Sequence, residues 1–301
     1  MTRLFLTIIM ALVAALFIGG ARSAHSQDCD AYIQSLQEVT GSSTFDPFES
    51  VDYGRVVRLT VANDGTDDCQ LRLRALNPAM GARLLTGAGL PYALFDPTNG
   101  LLDNDPGTVT GAFDFSVGAN ATRDILITLV IERPQFAVPA TETTLDELIV
   151  SDQASGQEYD RIDLSLSVDI VSRAQINLAG VDAPYDRDFA INQISFGSLE
   201  PGIERTVYLQ IRANEDVAVQ FQSNNGGTLN EVGGGSGRVP YSAYLAGAYI
   251  ELIAPQSLAQ PAPVSLDGLS LPLTFRIEPF GIQPSNRYRD RVTITVTALP
   301  G

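Results

Sequence analysis

Residues 288–297 limit the possible folds of this chain more than any other segment. They read YRDRVTITVT, so Val292, Ile294 and Val296 alternate with threonines. A period of two built from β-branched residues is typical of a strand with one buried face. Residues 159–168, YDRIDLSLSV, repeat the pattern, with Asp-Arg again placed before alternating apolar and polar residues. We therefore expect two related β-domains, the second ending on a strand with an unpaired edge.

The first 26 residues are predicted to be a signal peptide. Arg3 precedes an almost continuous apolar run over residues 4–18, which has the length of a signal-peptide core and is short for a membrane span. Cleavage is expected after Ser26, with Ala21 and Ser23 as other options, and an uncleaved anchor is the alternative. The mature chain is therefore predicted to be exported through the inner membrane.

The charge and the histidine content exclude several classes of function. The net charge is −16, from 35 acidic and 19 basic residues, which argues against nucleic acid or an anionic membrane as partner. The only histidine, His25, falls in the leader, so the mature chain lacks histidine bases, triads and metal ligands. We expect no enzyme, no cofactor and no metal site, although glycosidase-type carboxylate pairs leave no sequence signature.

The acidic turns have two interpretations. Their carboxylates could bind calcium, but the spacing matches no EF-hand and solvated turns are the simpler expectation; these residues are Asp64, Asp67, Asp68, Asp103 and Asp105.

Cys29 and Cys69 are the only cysteines. An even pair in an exported protein indicates one disulfide, and the spacing fits neither a metal motif nor a redox pair. A reactive thiol or a metal ligand is the alternative.

Several strand patterns of the first half recur in the same order in the second. The matches are residues 57–63 with 207–214, 69–74 with 217–222, 90–95 with 239–245, and 128–132 with 273–278, followed by the two closing stretches. Short strands with frequent turns and no long helix indicate β-sandwiches. We therefore predict an N-terminal domain over residues 27–172 and a C-terminal domain over 173–301, although unrelated β-domains can also share such patterns.

Two segments of the first domain are less regular. Residues 28–37 are compatible with a first strand or a short helical turn. Residues 136–139 and 145–150 have no counterpart in the second half, and we predict an inserted loop, where binding surfaces commonly occur.

These stretches resemble the spore coat protein U domain family, pilin-like subunits of archaic chaperone–usher pili. The resembling pieces are residues 288–297, residues 195–202, the Pro-Tyr pairs at 240–241 and 91–92, Cys29, Phe45 and residues 69–71. The resemblance implies an all-β fold of two tandem immunoglobulin-like, pilin-like sandwiches, the second lacking its last strand. The second half lacks the family's usual cysteines, so no disulfide is expected there.

The resemblance also implies partners and a location. The missing strand would be an N-terminal donor strand from the next pilus subunit, accepted along Val292, Ile294 and Val296 after delivery by a periplasmic chaperone to an outer-membrane usher. The protein would then pass through the periplasm to a cell-surface pilus. The short segment before Cys29 is a poor donor, which favours a tip adhesin that contacts a host or abiotic surface.

The expected contact residues are apolar side chains on loops of the first domain. They are Met80, Leu101, Leu102, Phe136 and Val138, each of which could instead fold back over the end of the sandwich. The rival functions are a pilus shaft or coat subunit and a periplasmic enzyme or binding protein.

Overall fold

A computed structural model describes residues 29–77, 83–87, 89–98, 100–102, 111–254, 256–261 and 265–299. The predicted leader and Met80, Asp103 and Asp105 lie outside these residues. The regular structure of the described part consists of strands and one short 3-10 helix, Arg187–Phe189. Within those residues, no helix is long and apolar enough to cross a bilayer.

The N-terminal half contains eleven strands in the described residues. They are β1 (Ala31–Thr40), β2 (Thr44–Phe45), β3 (Tyr53–Asn63), β4 (Cys69–Leu76), β5 (Ala93–Phe95), β6 (Phe113–Val117), β7 (Ala121–Ile131), β8 (Ala140–Thr143), β9 (Asp146–Asp152), β10 (Glu158–Leu164) and β11 (Ser167–Ile170). Residues 31–40, for which a helical turn was the alternative, therefore form the first strand.

The C-terminal half contributes ten more strands in the described part of the chain. They are β12 (Ala174–Ala179), β13 (Glu204–Ala213), β14 (Val217–Ser223), β15 (Thr228–Glu231), β16 (Arg238–Leu245), β17 (Ala248–Ile250), β18 (Gln256–Gln260), β19 (Leu269–Ile277), β20 (Tyr288–Arg289) and β21 (Val292–Ala298).

Two four-stranded sheets build the N-terminal half. Their strand orders are β1-β3-β7-β5 and β10-β9-β4-β6, and a small third sheet has the order β2-β11-β8. Leu59, Leu71 and Ile127 come from both large sheets and are fully buried in one hydrophobic cluster. Two antiparallel sheets that share a core in this order form an immunoglobulin-like sandwich.

The C-terminal half repeats this plan with fewer strands in one sheet. Its larger sheet has the order β12-β13-β19-β16-β15-β20, with β17 paired to β16, and its smaller sheet has the order β18-β14-β21. Strand β13 lies between β12 and β19 as β3 lies between β1 and β7, and β14 follows β13 as β4 follows β3. The predicted class, all-β with two immunoglobulin-like sandwiches, is confirmed by this topology.

A buried asparagine marks the same turn in both halves. Asn63 and Asn214 are fully buried at the ends of β3 and β13. The backbone N–H of Asp30 donates to Oδ1 of Asn63 at 3.2 Å, and that of Arg173 donates to Oδ1 of Asn214 at 2.8 Å. Each amide thus ties the residue just before the first strand of its half, β1 or β12, to the turn that follows β3 or β13.

The predicted disulfide is present in the N-terminal half. Cys29 and Cys69 are joined with a Cα–Cα distance of 5.3 Å. The bond ties Cys29, two residues before β1 in one sheet, to Cys69 at the start of β4 in the other sheet. It therefore staples the two layers of this sandwich together.

The two halves are in direct contact. Asn214 Nδ2 donates to the backbone carbonyl of Ala137 at 3.1 Å, and Arg173 forms an ion pair with Asp46 at 2.7 Å. The guanidinium of Arg212 lies over two aromatic rings, 4.7 Å from the centroid of Phe48 and 4.6 Å from that of Tyr185. The 136–139 segment therefore lies at the junction between the halves.

The other part of the predicted insertion is not a loop. Residues 146–152 form β9, which lies between β4 and β10 and buries Leu148 and Val150 completely. A strand that is buried on both faces lacks the alternation that identifies an exposed strand, so the sequence pattern favoured the wrong interpretation.

Candidate functional site

The outer edge of β21 is the candidate site. On its inner side β21 pairs with β14 in an uninterrupted antiparallel register, from Ser223 opposite Val292 to Val217 opposite Ala298. In the described residues no strand pairs with the other side of β21, which is the end of its sheet. A strand in this position presents N–H and C=O groups that can receive another strand.

The side chains of β21 are incompletely covered. Val292, Ile294 and Val296 pack against the core but remain half-buried, whereas the alternating threonines are exposed. The fully buried Leu148 and Val150 of β9 provide the comparison. The apolar face of β21 therefore lacks a cover that β9 has.

A buried tyrosine–aspartate contact identifies β9 as the counterpart of β21. The hydroxyl of Tyr92 donates to Oδ2 of Asp146, at the start of β9. In the same way the hydroxyl of Tyr241 donates to Oδ2 of Asp290 at 2.5 Å, just before β21. The partners agree, because β9 pairs with β4 and β21 pairs with β14.

This correspondence corrects one prediction. The sequence matched residues 159–168 with 288–297, but residues 158–164 form β10, which is the strand outside β9. The likeness has a local cause: the backbone N–H groups of Arg161 and Arg291 both donate to Oδ1 of the preceding aspartate, at 2.8 and 2.7 Å. The two Asp-Arg pairs therefore have the same local geometry, but the strands that contain or follow them, β10 and β21, occupy different positions in their sandwiches.

Strand β10 has no counterpart in the described residues of the C-terminal half. It runs antiparallel to β9, with Ile162 opposite Leu148 and Leu164 opposite Asp146. Its apolar alternation continues into β11, so that one long segment closes the N-terminal sandwich. The buried side chains of that segment, apart from the half-buried Ile162, are Leu164, Leu166, Val168 and Ile170.

The two cores differ as expected from this missing strand. In the N-terminal cluster, half-buried apolar residues are a small minority of those packed together. In the C-terminal cluster they are as numerous as the fully buried ones. Incomplete burial on this scale forgoes apolar stabilisation of about 25 cal/mol for each Å² left exposed.

Polar bonds hold the start of β21 in place. Asp290 Oδ2 also accepts from Ser223 Oγ at 2.5 Å, and its Oδ1 accepts from the N–H of Asn225 at 3.2 Å. Burial, and then the hydrogen bond to Asp290, raises the pKa of Tyr241 well above its usual range, so this hydroxyl stays a donor. The sequence flagged the Pro-Tyr pairs only as matches, and the aspartate partner requires the fold.

The structure separates the predicted contact residues. Leu101 and Val138 are exposed, at 48% and 54%, and Phe136 is half-buried. Leu102 is fully buried, so the expectation that it is exposed is wrong. The backbone N–H of Leu102 donates to the carbonyl of Leu94. This places the side chain of Leu102 in the core and leaves the side chain of Leu101 at the surface.

The described acidic turns do not form a metal centre. Asp68 accepts from the backbone N–H of Ala119 at 3.0 Å, which fixes a turn. Within the described residues no cluster of three or more histidine, cysteine or carboxylate side chains could hold a metal ion.

Comparison with known proteins finds no family whose sequence profile matches the chain. No protein of curated function matches it either.

Several solved structures show a distant likeness. A chain of the CsuC–CsuE chaperone–tip subunit complex, from the archaic chaperone–usher Csu pili of Acinetobacter baumannii, has 13% identity and a TM-score of 0.46, covering 87% of this chain and 99% of that one. The CupB6 tip adhesin of Pseudomonas aeruginosa has 11% identity and a TM-score of 0.38, covering 89% and 93%. The CFA/I adhesin CfaE of enterotoxigenic Escherichia coli has 14% identity and a TM-score of 0.35, covering 93% and 84%. At these scores the likeness assigns this chain neither a family nor a role.

Proposed function

We propose that this protein is a subunit of a chaperone–usher surface fibre and accepts an extended strand from a neighbouring subunit along β21. The observation that carries the proposal is the comparison between the halves. Strand β10 covers the outer edge of β9, whereas in the described residues nothing covers the equivalent edge of β21. Strand addition to such an edge is a common mode of protein recognition.

The N-terminal half, in which β10 covers β9 and which we call the closed half, indicates which side chains a donated strand requires. Residues 162, 164, 166, 168 and 170 are all apolar and alternate with polar residues. Main-chain hydrogen bonds to β21 would supply affinity. In the register of β10, Ile162 would lie opposite Val292, and Leu164 would lie beside Asp290 at the start of β21. The donor is therefore an extended segment of the same alternating type.

The proposal includes the wider assembly. A periplasmic chaperone would cover the edge before an outer-membrane usher exchanges it for the next subunit, and the fibre would stand on the cell surface. Residues 27–172 would form the contact domain and residues 173–301 the acceptor domain. Because β10 already pairs with the outer edge of β9, the first sandwich needs no donated strand, and we assign adhesion to that half, with exposed Leu101 as a contact candidate.

The test is binding of a labelled peptide with the sequence of residues 158–170, followed by fluorescence anisotropy on the mature protein. We expect saturable binding, which a peptide with aspartate at the positions of Leu164 and Leu166 does not show. Ile294→Asp should abolish binding because it places a charge on the half-buried face. Thr295→Asp, on the exposed face of the same strand, is the matched control and should retain binding.

Equal binding of both peptides would contradict the proposal, because it would show that the apolar face is not engaged. Equal weakening by both substitutions would also contradict it, because the two side chains point to opposite faces of β21.

A further inference from the structure

The closed half also fixes the direction in which a donated strand would run. Strand β10 is antiparallel to β9, with Glu158 opposite Ser151 and Leu164 opposite Asp146. Because Asp290 corresponds to Asp146, a strand placed likewise on β21 would leave the sandwich beside Asp290. The globular body of the donor would therefore lie beyond this end. This step rests on the proposed function.

Arginine side chains are concentrated at that end. Asn230 of β15 lies directly opposite both Arg238 of β16 and Arg289 of β20. Directly opposite residues share one face of a sheet. Arg287 lies next on the same side, where its carbonyl accepts from the N–H of Val232 at 2.8 Å, and Arg291 precedes β21. We call the exposed residues Arg238, Arg287, Arg289 and Arg291 the arginine face.

The arginine face has no carboxylate partner among the described residues. None of its four guanidinium groups lies within 4.0 Å of an acidic side chain of the described residues, whereas Arg72, Arg83 and Arg161 all form ion pairs. Asp290 and Glu231, which line the same depression as Arg289 and Arg291, have other hydrogen-bond partners. Asp290 binds Tyr241 and Ser223, and Glu231 accepts from the N–H of Gly237 at 3.0 Å. A chain of net charge −16 thus presents a local excess of positive charge at one end, where four arginines accompany Asp290 and Glu231.

The arginine face also offers a concave polar surface. A depression of about 310 Å³ lies beside Arg289 and Arg291, and its other lining residues are Asn224, Asn225, Asn230, Glu231, Val232 and Asp290. Oδ1 of Asn230 is buried there with no hydrogen-bond partner in the described structure. Such an acceptor is costly to leave unpaired, and a backbone N–H group of a docked segment, rather than one of its carboxylates, could donate to it.

We propose that the arginine face docks an acidic surface on the body of the strand-donating subunit, immediately after its donated strand. The arginines would pair with carboxylates as the strand occupies the edge of β21. Opposite charges of this kind increase the association rate and fix the register of a strand that could otherwise slip by two residues.

The test uses a peptide of residues 158–164 with a short tail of alternating glycine and aspartate, because Leu164, opposite Asp146, would lie beside Asp290. Placed at its C-terminal end, the tail should increase affinity about three- to tenfold at low salt, as expected for two or three exposed ion pairs. The gain should vanish at high salt and in the double variant Arg289→Gln, Arg291→Gln. The double variant Arg58→Gln, Arg123→Gln, which removes equal charge from the N-terminal half, should keep it.

The position of the aspartate tail on the peptide distinguishes binding to the arginine face from non-specific electrostatic attraction. A tail at the N-terminal end of the peptide should give no gain, because that end would lie beside Glu215 and Asp216 at the other end of β21. Binding of the plain peptide with an equal gain from both tails, or with no gain from either, would overturn the docking surface and leave the strand acceptor standing. Absence of binding by every peptide would overturn both.

Discussion

A strand appended to the chain should complete the second sandwich. The variant carries a copy of residues 153–170 after Gly301, so that the turn between β9 and β10 and the closing segment are repeated behind β21. The copy starts at the end of β21 that corresponds to the end of β9, which is where β10 begins. We expect it to fold back on β21 and raise the melting temperature of the C-terminal half.

The size of the effect follows from the closed half. Leu164 and Leu166 are only 1% and 3% exposed there, and full burial of a leucine stabilises a fold by about 1.5–3 kcal/mol. The two corresponding leucines of the copy should thus contribute about 3–6 kcal/mol. For a domain of this size about 1 kcal/mol shifts the melting temperature by about 3–5 °C. A copy with aspartate at both positions should therefore melt on the order of 10 °C lower or more.

Differential scanning calorimetry on the unextended chain, the leucine copy and the aspartate copy measures this difference. The appended leucine copy should also block binding of the 158–170 peptide. Identical melting temperatures for the three proteins, with peptide binding unchanged by the leucine copy, would refute the assignment of β21 as an acceptor.

Three further perturbations test individual contacts. Replacing Cys29 and Cys69 by serine removes a crosslink spanning a sequence separation of 40 and should cost about 4 kcal/mol, lowering only the calorimetric transition of the N-terminal half. Tyr241→Phe removes the donor to Asp290 and should cost about 1–3 kcal/mol, lowering the transition of the C-terminal half in urea or heat. Hydrogen bonds from backbone N–H groups lower the pKa of Asp152, so its stabilisation is present above its unfolded pKa, near 3.8, and is lost as the pH falls through the lower folded value. Asp152→Asn should therefore flatten the acid side of the stability curve of the N-terminal half, whereas an unchanged acid limb would exclude this role.

Local patterns in the sequence determined much of the architecture. The alternation of Val292, Ile294 and Val296 with threonines indicated both a strand and its buried face. The two cysteines of a chain with a predicted export signal indicated the disulfide, and matched strand patterns indicated two sandwiches. Each conclusion needs only the period of side chains along a strand or the chemistry of one residue type.

The tertiary structure decided which strand covers which. A period of two tells which face a side chain occupies, but β10 and β21 have the same period and the same Asp-Arg start while occupying different positions. Leu102 is buried because of the local chain direction after Leu101. Arg238 and Arg289 come onto one face of the sheet because both of their strands pair with β15. Strand pairing is set by long-range contacts among all the strands of a sandwich, which no short stretch of sequence contains.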